Sequence, residues 1–289
     1  MFPREFDYVA PQTVEEATAI LQREPDAKLM AGGMSLLPLM KLRLFSPALV
    51  VDIGRIADLD RIEDRGDHVS LGPLVRHRAT AGSALLRENA DALATAAGWT
   101  GDVQVRNRGT TCGSVAHVDV AADQPAAALA LSATMVARSA AHTREIPADD
   151  FFVDTLTSAL EPTEVLVELR IPKRGAGEGS AYDKLGRRGG HSDYAIAGAA
   201  AWVRLVEGSV VDARVALTGV STKPVLALGV AEALIGTDGS EPAVAAAARR
   251  ASDGITILED LFGSAEYKAH LSSVFAGRAL RAAIQDSSR

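Results

Sequence analysis

The sequence predicts an α+β protein with two domains, and two observations lead to this prediction. The chain has 289 residues, of which 47% are hydrophobic, so it can bury a large core and exceeds the usual size of one domain. A glycine-containing stretch, Lys173–Ser180, has the composition of a linker and separates two sets of strand-like and helical segments. We therefore expect residues 1–175 and 176–289 to form separate domains.

The N-terminal part alternates between helix and strand signals. A helix is predicted at Thr13–Gln22, because Thr13 can cap it and Glu16 is placed to complete a capping box. Two short apolar strands, with an apolar segment between them, follow at Ala27–Ala31, Met34–Arg43 and Ala48–Ile53. This alternation predicts a small α/β subdomain over about residues 1–57.

Residues 58–175 combine short strands with helices. Helices are predicted at Ala79–Ala97, which is rich in alanine and leucine, and at Asp123–Leu131, where Pro125 lies near the first turn. Trp99–Ser114 is a polar stretch punctuated by glycine, and its second part, Arg106–Ser114, is predicted as a loop. Short strands bounded by turn residues are predicted at Asp60–Glu63, His68–Leu71, Met135–Arg138, Glu145–Pro147 and Glu164–Ile171.

The C-terminal domain is predicted as a small sheet backed by helices. Strand-like runs occur at Ala195–Leu205 and Val210–Gly219. Helical stretches follow near Val225–Leu234, Pro242–Ser252 and Ala265–Ile284. The last of these is amphipathic, because its apolar side chains recur on one face of a helix.

Composition and charge exclude several classes of protein. A net charge of −7 disfavours binding to nucleic acid, whose phosphates an acidic surface repels. No apolar run approaches the roughly 20 residues that span a bilayer, and Met1–Ala10 lacks an apolar signal core. The single cysteine, Cys112, suits a reducing compartment and cannot hold an iron–sulfur cluster, which needs about four thiolates. We therefore expect a cytoplasmic protein.

The first candidate for ligand binding is Ala31–Ser35 (AGGMS), which directly follows a predicted strand. Gly32 and Gly33 let the backbone turn sharply and present successive N–H groups to an anion, and Ser35 can add a hydroxyl donor. A diphosphate needs many donors in a small volume, so it is a natural ligand for such a segment. The structural alternative is an ordinary Gly-Gly turn.

The second candidate is Arg106–Ser114 (RNRGTTCGS), which combines guanidinium, amide and hydroxyl donors with glycine. Burying so many donors is costly unless a polar ligand or neighbouring carbonyl groups satisfy them. The structural alternative is a solvated loop in which an arginine braces two domains.

Other common sites are missing from the sequence. No G-x-G-x-x-G fingerprint, Walker sequence, H-E-x-x-H motif or G-x-S-x-G elbow is present. His117 and Asp119 lie close together, but no cysteine or further histidine cluster supports a metal site around them. We therefore predict neither a catalytic residue nor a metal ligand.

Together with their surroundings, these segments resemble the medium, FAD-binding subunits of carbon monoxide dehydrogenase and related molybdenum hydroxylases, including the flavin domain of xanthine dehydrogenase. The resemblance covers nearly the whole chain. The matching segments are Ala31–Leu44, Val103–Asp123, Tyr182–Ala197 and Glu259–Leu280.

The resemblance implies a fold and a cofactor site. Residues 1–175 would form an FAD-binding PCMH-type domain of the vanillyl-alcohol oxidase kind, with subdomains of about 1–57 and 58–175. Residues 176–289 would form a domain like the C-terminal domain of the carbon monoxide dehydrogenase flavoprotein. The implied FAD-binding residues are Ala31, Gly32, Gly33, Met34, Ser35, Thr110, Thr111, Cys112, Gly113, Ser114, Asp123, Lys184 and Tyr194.

Within this set the resemblance assigns different roles. The diphosphate would lie between Ala31–Ser35 and Thr110–Ser114. Asp123 and Lys184 match positions that contact the nucleotide or the flavin, and Tyr194 matches an aromatic position that approaches the isoalloxazine ring.

The resemblance also implies partners. A small subunit with two [2Fe–2S] clusters and a large molybdopterin subunit would complete a heterotrimer, or a dimer of heterotrimers. Electrons would reach the flavin from the clusters and leave to a quinone, NAD or oxygen. Because a flavin supplies the redox chemistry itself, this role agrees with the missing catalytic motifs.

Three departures from the family pattern stand out. Cys112 occupies a position usually held by glycine, so it would be strained if that position needs positive φ, or would otherwise simply fill space. Met34 replaces a residue that is often polar and removes one possible hydrogen bond to the cofactor. His191 and Ser192, within Gly189–Asp193, could reshape access to the flavin or the docking surface for the iron–sulfur subunit.

Two alternatives to an electron-transfer subunit remain open from the residues. One is a stand-alone flavoprotein oxidase or dehydrogenase with its own substrate pocket, for which His117, His191 and Tyr194 are the candidate groups over the flavin. The other is an interaction protein that has lost its flavin.

Overall fold

The N-terminal subdomain is a parallel sheet with helices between its strands. The computed structural model describes residues 2–189 and 193–289, so the expectation for His191 and Ser192 lies outside the described residues. The elements are β1 (Asp7–Val9), α1 (Val14–Arg23), β2 (Ala27–Met30), α2 (Leu36–Lys41) and β3 (Leu49–Asp52). The strand order is β1-β3-β2, with all pairs parallel, as the alternation of helix and strand predicted.

The cap predicted for α1 is confirmed. Thr13 Oγ1 accepts a hydrogen bond from Glu16 N at 3.1 Å. The Glu16 carboxylate in turn accepts from Gln12 N at 2.7 Å, so the reciprocal half of the capping box is shifted back by one residue.

The second subdomain is an antiparallel sheet covered by helices. Its elements are β4 (Ile62–Asp64), β5 (His68–Leu71), α3 (His77–Gly82), α4 (Ala84–Asn89), α5 (Asp91–Trp99), α6 (Val103–Arg108), α7 (Thr111–His117), α8 (Asp123–Ala130), β6 (Thr134–Arg138), β7 (Thr143–Pro147), α9 (Ala148–Phe151), β8 (Phe152–Asp154), β9 (Thr157–Ser158) and β10 (Val165–Pro172). The sheet order is β4-β5-β10-β6-β7, and β8 and β9 form a separate hairpin.

Two predictions in this region are corrected by local capping. The helix predicted over Ala79–Ala97 is divided into α3, α4 and α5. Ser83 caps α4 by accepting from Leu86 N at 3.3 Å, and Ala90 adopts an extended φ of −155° before α5. The loop predicted at Arg106–Ser114 contains the end of α6 and the start of α7, helices whose caps are Asp102 and Thr110. Polar side chains that cap a helix decide where that helix begins. Composition alone does not reveal which polar residues act as caps.

The C-terminal domain is a sheet backed by helices, as predicted. Its elements are β11 (Glu178–Gly186), β12 (Ala195–Val206), β13 (Ser209–Thr218), β14 (Val225–Leu226), α10 (Leu228–Leu234), α11 (Glu241–Ala248) and α12 (Ala265–Ser287). The strands pair in chain order and are antiparallel. Two boundaries differ from the prediction, because β11 begins inside the expected linker Lys173–Ser180 and β14 occupies the start of the expected helix Val225–Leu234.

The two domains share a core across α5 and α8. Every residue of α8 is buried, and β12 and β13 pack against it. Backbone bonds join the domains, from Ala195 N to Ala121 O at 3.1 Å and from Gly219 N to Val120 O at 2.7 Å. The C-terminal sheet therefore fixes the segment that connects α7 to α8. Within residues 2–189 and 193–289, no helix combines the length and apolar composition needed to cross a bilayer.

We expect Gly179→Ala to destabilise the docking of α12 on β11. A Cβ at Gly179 would lie 2.9 Å from Ser287 Cα and closer still to the carbonyl of Ala283, so backbone atoms would have to move. Overpacking of this kind costs about 2–3 kcal/mol in the free energy of unfolding, which urea denaturation measures. Gly82→Ala is the matched control, because a Cβ there meets nothing within 4 Å. Equal stability of the two variants would contradict this account.

Candidate functional site

A large cleft lies between the two N-terminal subdomains and reaches the start of β12. Its volume is about 1310 Å³, which exceeds the usual range of small-ligand pockets, about 300–1,000 Å³. Of the predicted site residues, the cleft is lined by Ala31, Gly32, Gly33, Met34, Ser35, Thr110, Cys112, Gly113, Ser114, Asp123 and Tyr194. The structure thus brings most of the predicted set to one surface.

The two glycine-containing segments touch each other on the wall of the cleft. A Cβ at Gly32 would lie 2.8 Å from Gly109 Cα and closer still to the carbonyl oxygen of Arg108. Gly33 has a φ of +73°, in the left-handed region that favours glycine. The sequence therefore needs glycine at position 32 for close approach and at position 33 for the turn.

The first segment presents unpaired amides to the cleft. In the described part of the chain, the N–H groups of Gly32, Gly33, Met34 and Ser35 donate to no other group, whereas the carbonyl of Gly33 accepts from Leu37 N at 3.0 Å. Successive free amides beside a cleft can bind an anion with several oxygens. This arrangement favours the ligand-binding interpretation of the segment over an ordinary turn.

The second segment commits several of its polar groups to the protein. Thr110 Oγ1 accepts from Gly113 N at 3.1 Å and thereby caps α7. The Thr111 hydroxyl is fully buried, pairs with the Thr80 hydroxyl at 2.6 Å and does not line the cleft. Ser114 Oγ donates to Gln124 Oε1 at 2.8 Å. The backbone and glycines of this segment therefore face the cleft more than its hydroxyl groups do.

Cys112 is packed rather than strained. It is the second residue of α7 and its φ is not positive, so the condition for strain is not met. The thiol is 1% exposed and lies 3.5 Å from the carbonyl oxygen of Gly72. Burial raises the pKa of Cys112 to about 12, so the thiol stays protonated. The alternative that the thiol fills space is confirmed.

Asp123 and Lys184 form a buried ion pair at the edge of the cleft. Lys184 Nζ lies 2.8 and 2.7 Å from the two carboxylate oxygens of Asp123, and it also donates to Asp193 O at 2.6 Å. The Tyr182 hydroxyl donates to Asp123 Oδ1 at 2.5 Å. Burial raises the pKa of Asp123, and Lys184 and Tyr182 oppose this by stabilising the carboxylate.

The predicted contact of Lys184 with the cofactor therefore stays a prediction. Asp123 lines the cleft, but Lys184 does not, and its side chain is fully buried behind Asp123. The observed role of Lys184 is to hold Asp123 in place. Together they anchor the start of α8 to β11.

Tyr194 stands at one end of the cleft and is 43% exposed. The Arg187 guanidinium lies 5.2 Å from the Tyr194 ring and 4.3 Å from the ring of Phe262, so it is held between two aromatic side chains. Burial raises the pKa of Tyr194, and the charge of Asp119 adds to this shift. His117 lines the same cleft, and burial lowers its pKa.

The polar residues that line the cleft and that sequence reasoning missed include His77, Thr100 and Gln124. His77 and Gln124 are buried, at 3% and 0% exposed. The one available signal was Gln124, a polar residue next to Asp123 at the start of an otherwise apolar helix. Nothing in the sequence marks His77 as a neighbour of the glycine segments.

The residues present fit FAD. The free amides of Gly32–Ser35 suit a diphosphate, and the second segment lies against them, as expected for a group held between the two. Tyr194 offers an aromatic surface for a flat ring at one end of the cleft. Apolar side chains elsewhere, among them Leu39 and Phe45, suit the rest of a large, partly aromatic ligand.

We expect Lys184→Met to destabilise the protein strongly, because it leaves the Asp123 carboxylate buried without its cation. Breaking a buried pair in this way costs about 3–5 kcal/mol in the free energy of unfolding. The double variant Asp123→Asn with Lys184→Met removes both charges and should recover most of the loss, which a double-mutant cycle by urea denaturation measures. Strictly additive losses would show that the pair is not coupled.

Comparisons with known proteins agree with this geometry. Residues 4–174 match the family described as the FAD binding domain in molybdopterin dehydrogenase, and residues 180–283 match the CO dehydrogenase flavoprotein C-terminal domain. The chain is 40% identical to the carbon monoxide dehydrogenase medium chain of Hydrogenophaga pseudoflava, over 98% of each chain. It is 37% identical to the 6-hydroxypseudooxynicotine dehydrogenase complex subunit alpha of Paenarthrobacter nicotinovorans, over 98% of this chain and 96% of that one.

Solved structures show the same fold. A structure of carbon monoxide dehydrogenase from Hydrogenophaga pseudoflava contains a chain that superposes with a TM-score of 0.94 at 41% identity, covering 99% of both chains. Quinoline 2-oxidoreductase from Pseudomonas putida 86 gives a TM-score of 0.93 at 32% identity, covering 100% of both. The chain therefore belongs to the family of FAD-binding subunits of molybdopterin dehydrogenases, whose members include the medium chains of carbon monoxide dehydrogenases.

Proposed function

We propose that this chain binds FAD in the cleft and transfers electrons from the [2Fe–2S] clusters of a small partner subunit to an external acceptor. A large partner subunit carrying molybdopterin would oxidise the substrate. The observation that carries the proposal is the contact of the two glycine segments beside the unpaired amides of Gly32–Ser35. The relatives named above as a medium chain and as a subunit of a complex support the multi-subunit assembly.

The chain's own residues would bind and orient the cofactor. The amides of Gly32–Ser35 and the backbone of Thr110–Ser114 would hold the diphosphate, and Tyr194 would contact the isoalloxazine ring. Asp123 would accept a hydrogen bond from the cofactor at the cleft edge, with Lys184 holding it from behind. Bound FAD supplies the redox chemistry, so the protein needs no nucleophile or metal of its own.

We also propose the domain boundary at residues 175 and 176 and a cytoplasmic location. The boundary falls between the two matched regions, in the turn before β11. The cytoplasmic location is supported by Cys112, the single cysteine, which is free and buried. The substrate of the complex would be chosen by the large subunit, so this chain carries no information about it.

We expect the purified chain to show flavin absorption bands at about 370 and 450 nm, or to acquire them on soaking in FAD. Gly32→Ala should weaken FAD binding by roughly 100-fold or more, because its Cβ would push the two glycine segments apart. Gly82→Ala is the control, since it adds a methyl group in open space. A wild-type chain that retains no flavin bands after soaking in FAD would contradict the proposed cofactor. An unchanged affinity of Gly32→Ala for FAD would contradict the proposed site.

We expect the tagged chain, expressed with the small and large subunits, to co-purify with both as a heterotrimer or its dimer. The substrate of the large subunit, added without dithionite, should then reduce the flavin and bleach its absorption bands. This should happen only when the small subunit is present. Purification of the three subunits as separate species would contradict the proposal. A chain that bleaches its own flavin with a small-molecule substrate would favour the stand-alone oxidase instead.

A further inference from the structure

His77 is a buried side chain that the proposed function has not used. It begins α3, is 3% exposed and lines the cleft. The Nε2 edge of its ring lies beside Gly109, where a Cβ would be 3.1 Å from Nε2, and Gly109 is the residue that Gly32 approaches. His77 therefore lies beside the contact between the two glycine segments.

The two ring nitrogens of His77 have different surroundings. Nδ1 lies 3.2 Å from Gln124 Nε2, whereas Nε2 has no hydrogen-bond partner among the described residues. The ring is 3% exposed and lines the cleft, so a ligand in the cleft is the group that can satisfy Nε2. Which nitrogen carries the proton decides whether the free one donates or accepts.

The Thr100 hydroxyl fixes the orientation of Gln124. Thr100 Oγ1 lies 2.9 Å from Ala96 O and 3.3 Å from Asp123 Oδ2, and both of these atoms are acceptors. The shorter contact, with Ala96 O, takes the single hydroxyl hydrogen, so Thr100 Oγ1 accepts from Gln124. The side-chain nitrogen of Gln124 must then face Thr100, with which it forms a short hydrogen bond.

The orientation of Gln124 in turn fixes the proton on His77. With its nitrogen facing Thr100, Gln124 directs its second N–H to His77 Nδ1 and its Oε1 to the Ser114 hydroxyl, which donates at 2.8 Å. His77 Nδ1 is thus an acceptor, and the ring proton lies on Nε2. Burial lowers the pKa of His77 to about 4, with a further contribution from the charge of Arg106, so the ring is neutral.

We propose that His77 donates a hydrogen bond from Nε2 to a phosphate oxygen of the FAD diphosphate, with Gln124 and Thr100 as positioning residues that hold this tautomer. The inference rests on the proposed function and adds a donor to the glycine segments. A diphosphate bound between the two glycine segments would place a phosphate oxygen, which is an acceptor, beside Nε2. The donor is presented without a positive charge, which distinguishes it from an arginine or lysine clamp.

The tautomer is tested by ¹⁵N NMR of the full chain labelled at histidine. The His77 signals, identified by their loss in His77→Gln, should show Nδ1 unprotonated and Nε2 protonated before FAD is added. Addition of FAD should move the Nε2–H signal, as expected for a new hydrogen bond. A ring protonated at Nδ1, or an Nε2–H signal that FAD leaves unmoved in the flavin-loaded chain, would overturn the inference.

The acceptor is tested by FAD affinity and by ³¹P NMR of bound FAD. His77→Asn, whose amide cannot reach the position of Nε2, should bind FAD about 10- to 100-fold more weakly. Its ³¹P signals should shift less from those of free FAD than in the wild-type chain. His77→Gln, whose amide nitrogen can reach that position, should recover most of both effects. Ser272→Ala is the control, because it removes a buried hydroxyl that bonds to Lys268 O in the C-terminal domain.

The outcomes separate this inference from the proposed function. If wild-type chain and His77→Asn bind FAD equally and give the same ³¹P signals, His77 is not a phosphate donor while the FAD site stands. Equal losses in His77→Asn and His77→Gln would also overturn it, since a donor at the Nε2 position would then not matter. A wild-type chain that binds no FAD would overturn both.

Discussion

The close approach of Gly32 to Arg108 and Gly109 is the contact on which the cleft depends. It joins the turn after β2 to the turn between α6 and α7, and so sets the distance between the two N-terminal subdomains at this point. A side chain larger than hydrogen at position 32 would separate them by displacing backbone atoms, which have no alternative rotamer. The same contact leaves the amides of the first segment directed at the cleft, since no strand or helix of the described chain takes them up.

A second constraint comes from the polar groups buried behind the cleft. The carboxylate of Asp123 is held by Lys184 from β11 and by Tyr182 from the same strand, while Thr100 reaches it from the end of α5. Loss of Lys184 would leave the buried carboxylate of Asp123 without a cation. The C-terminal domain is therefore part of the site, even though it contributes little of the cleft lining.

The composition of the site follows from the different roles of the flavin and of the protein. A flavin brings its own redox chemistry, so the protein has to supply binding, orientation and access rather than nucleophiles or acids. The thiol of Cys112 illustrates the point, because it lies near the glycine segment but is buried and protonated. Gln124 likewise contacts two other polar groups of the site, the Ser114 hydroxyl and His77 Nδ1.

The sequence by itself determined the class of fold, the two glycine segments and the resemblance to a flavin-binding family. These follow from local signals: apolar periodicity, the cap at Thr13, and glycine where a backbone must turn. Most of the site residues that it predicted line the cleft, because they lie in two short segments. Only the tertiary structure decided that Lys184 is shielded by Asp123, that Thr111 lies behind the cleft and that Cys112 is unstrained. The tertiary structure also brought His77 beside Gly109, a contact between residues far apart in the chain. A sequence pattern carries no information about hydrogen-bond partners that only packing creates.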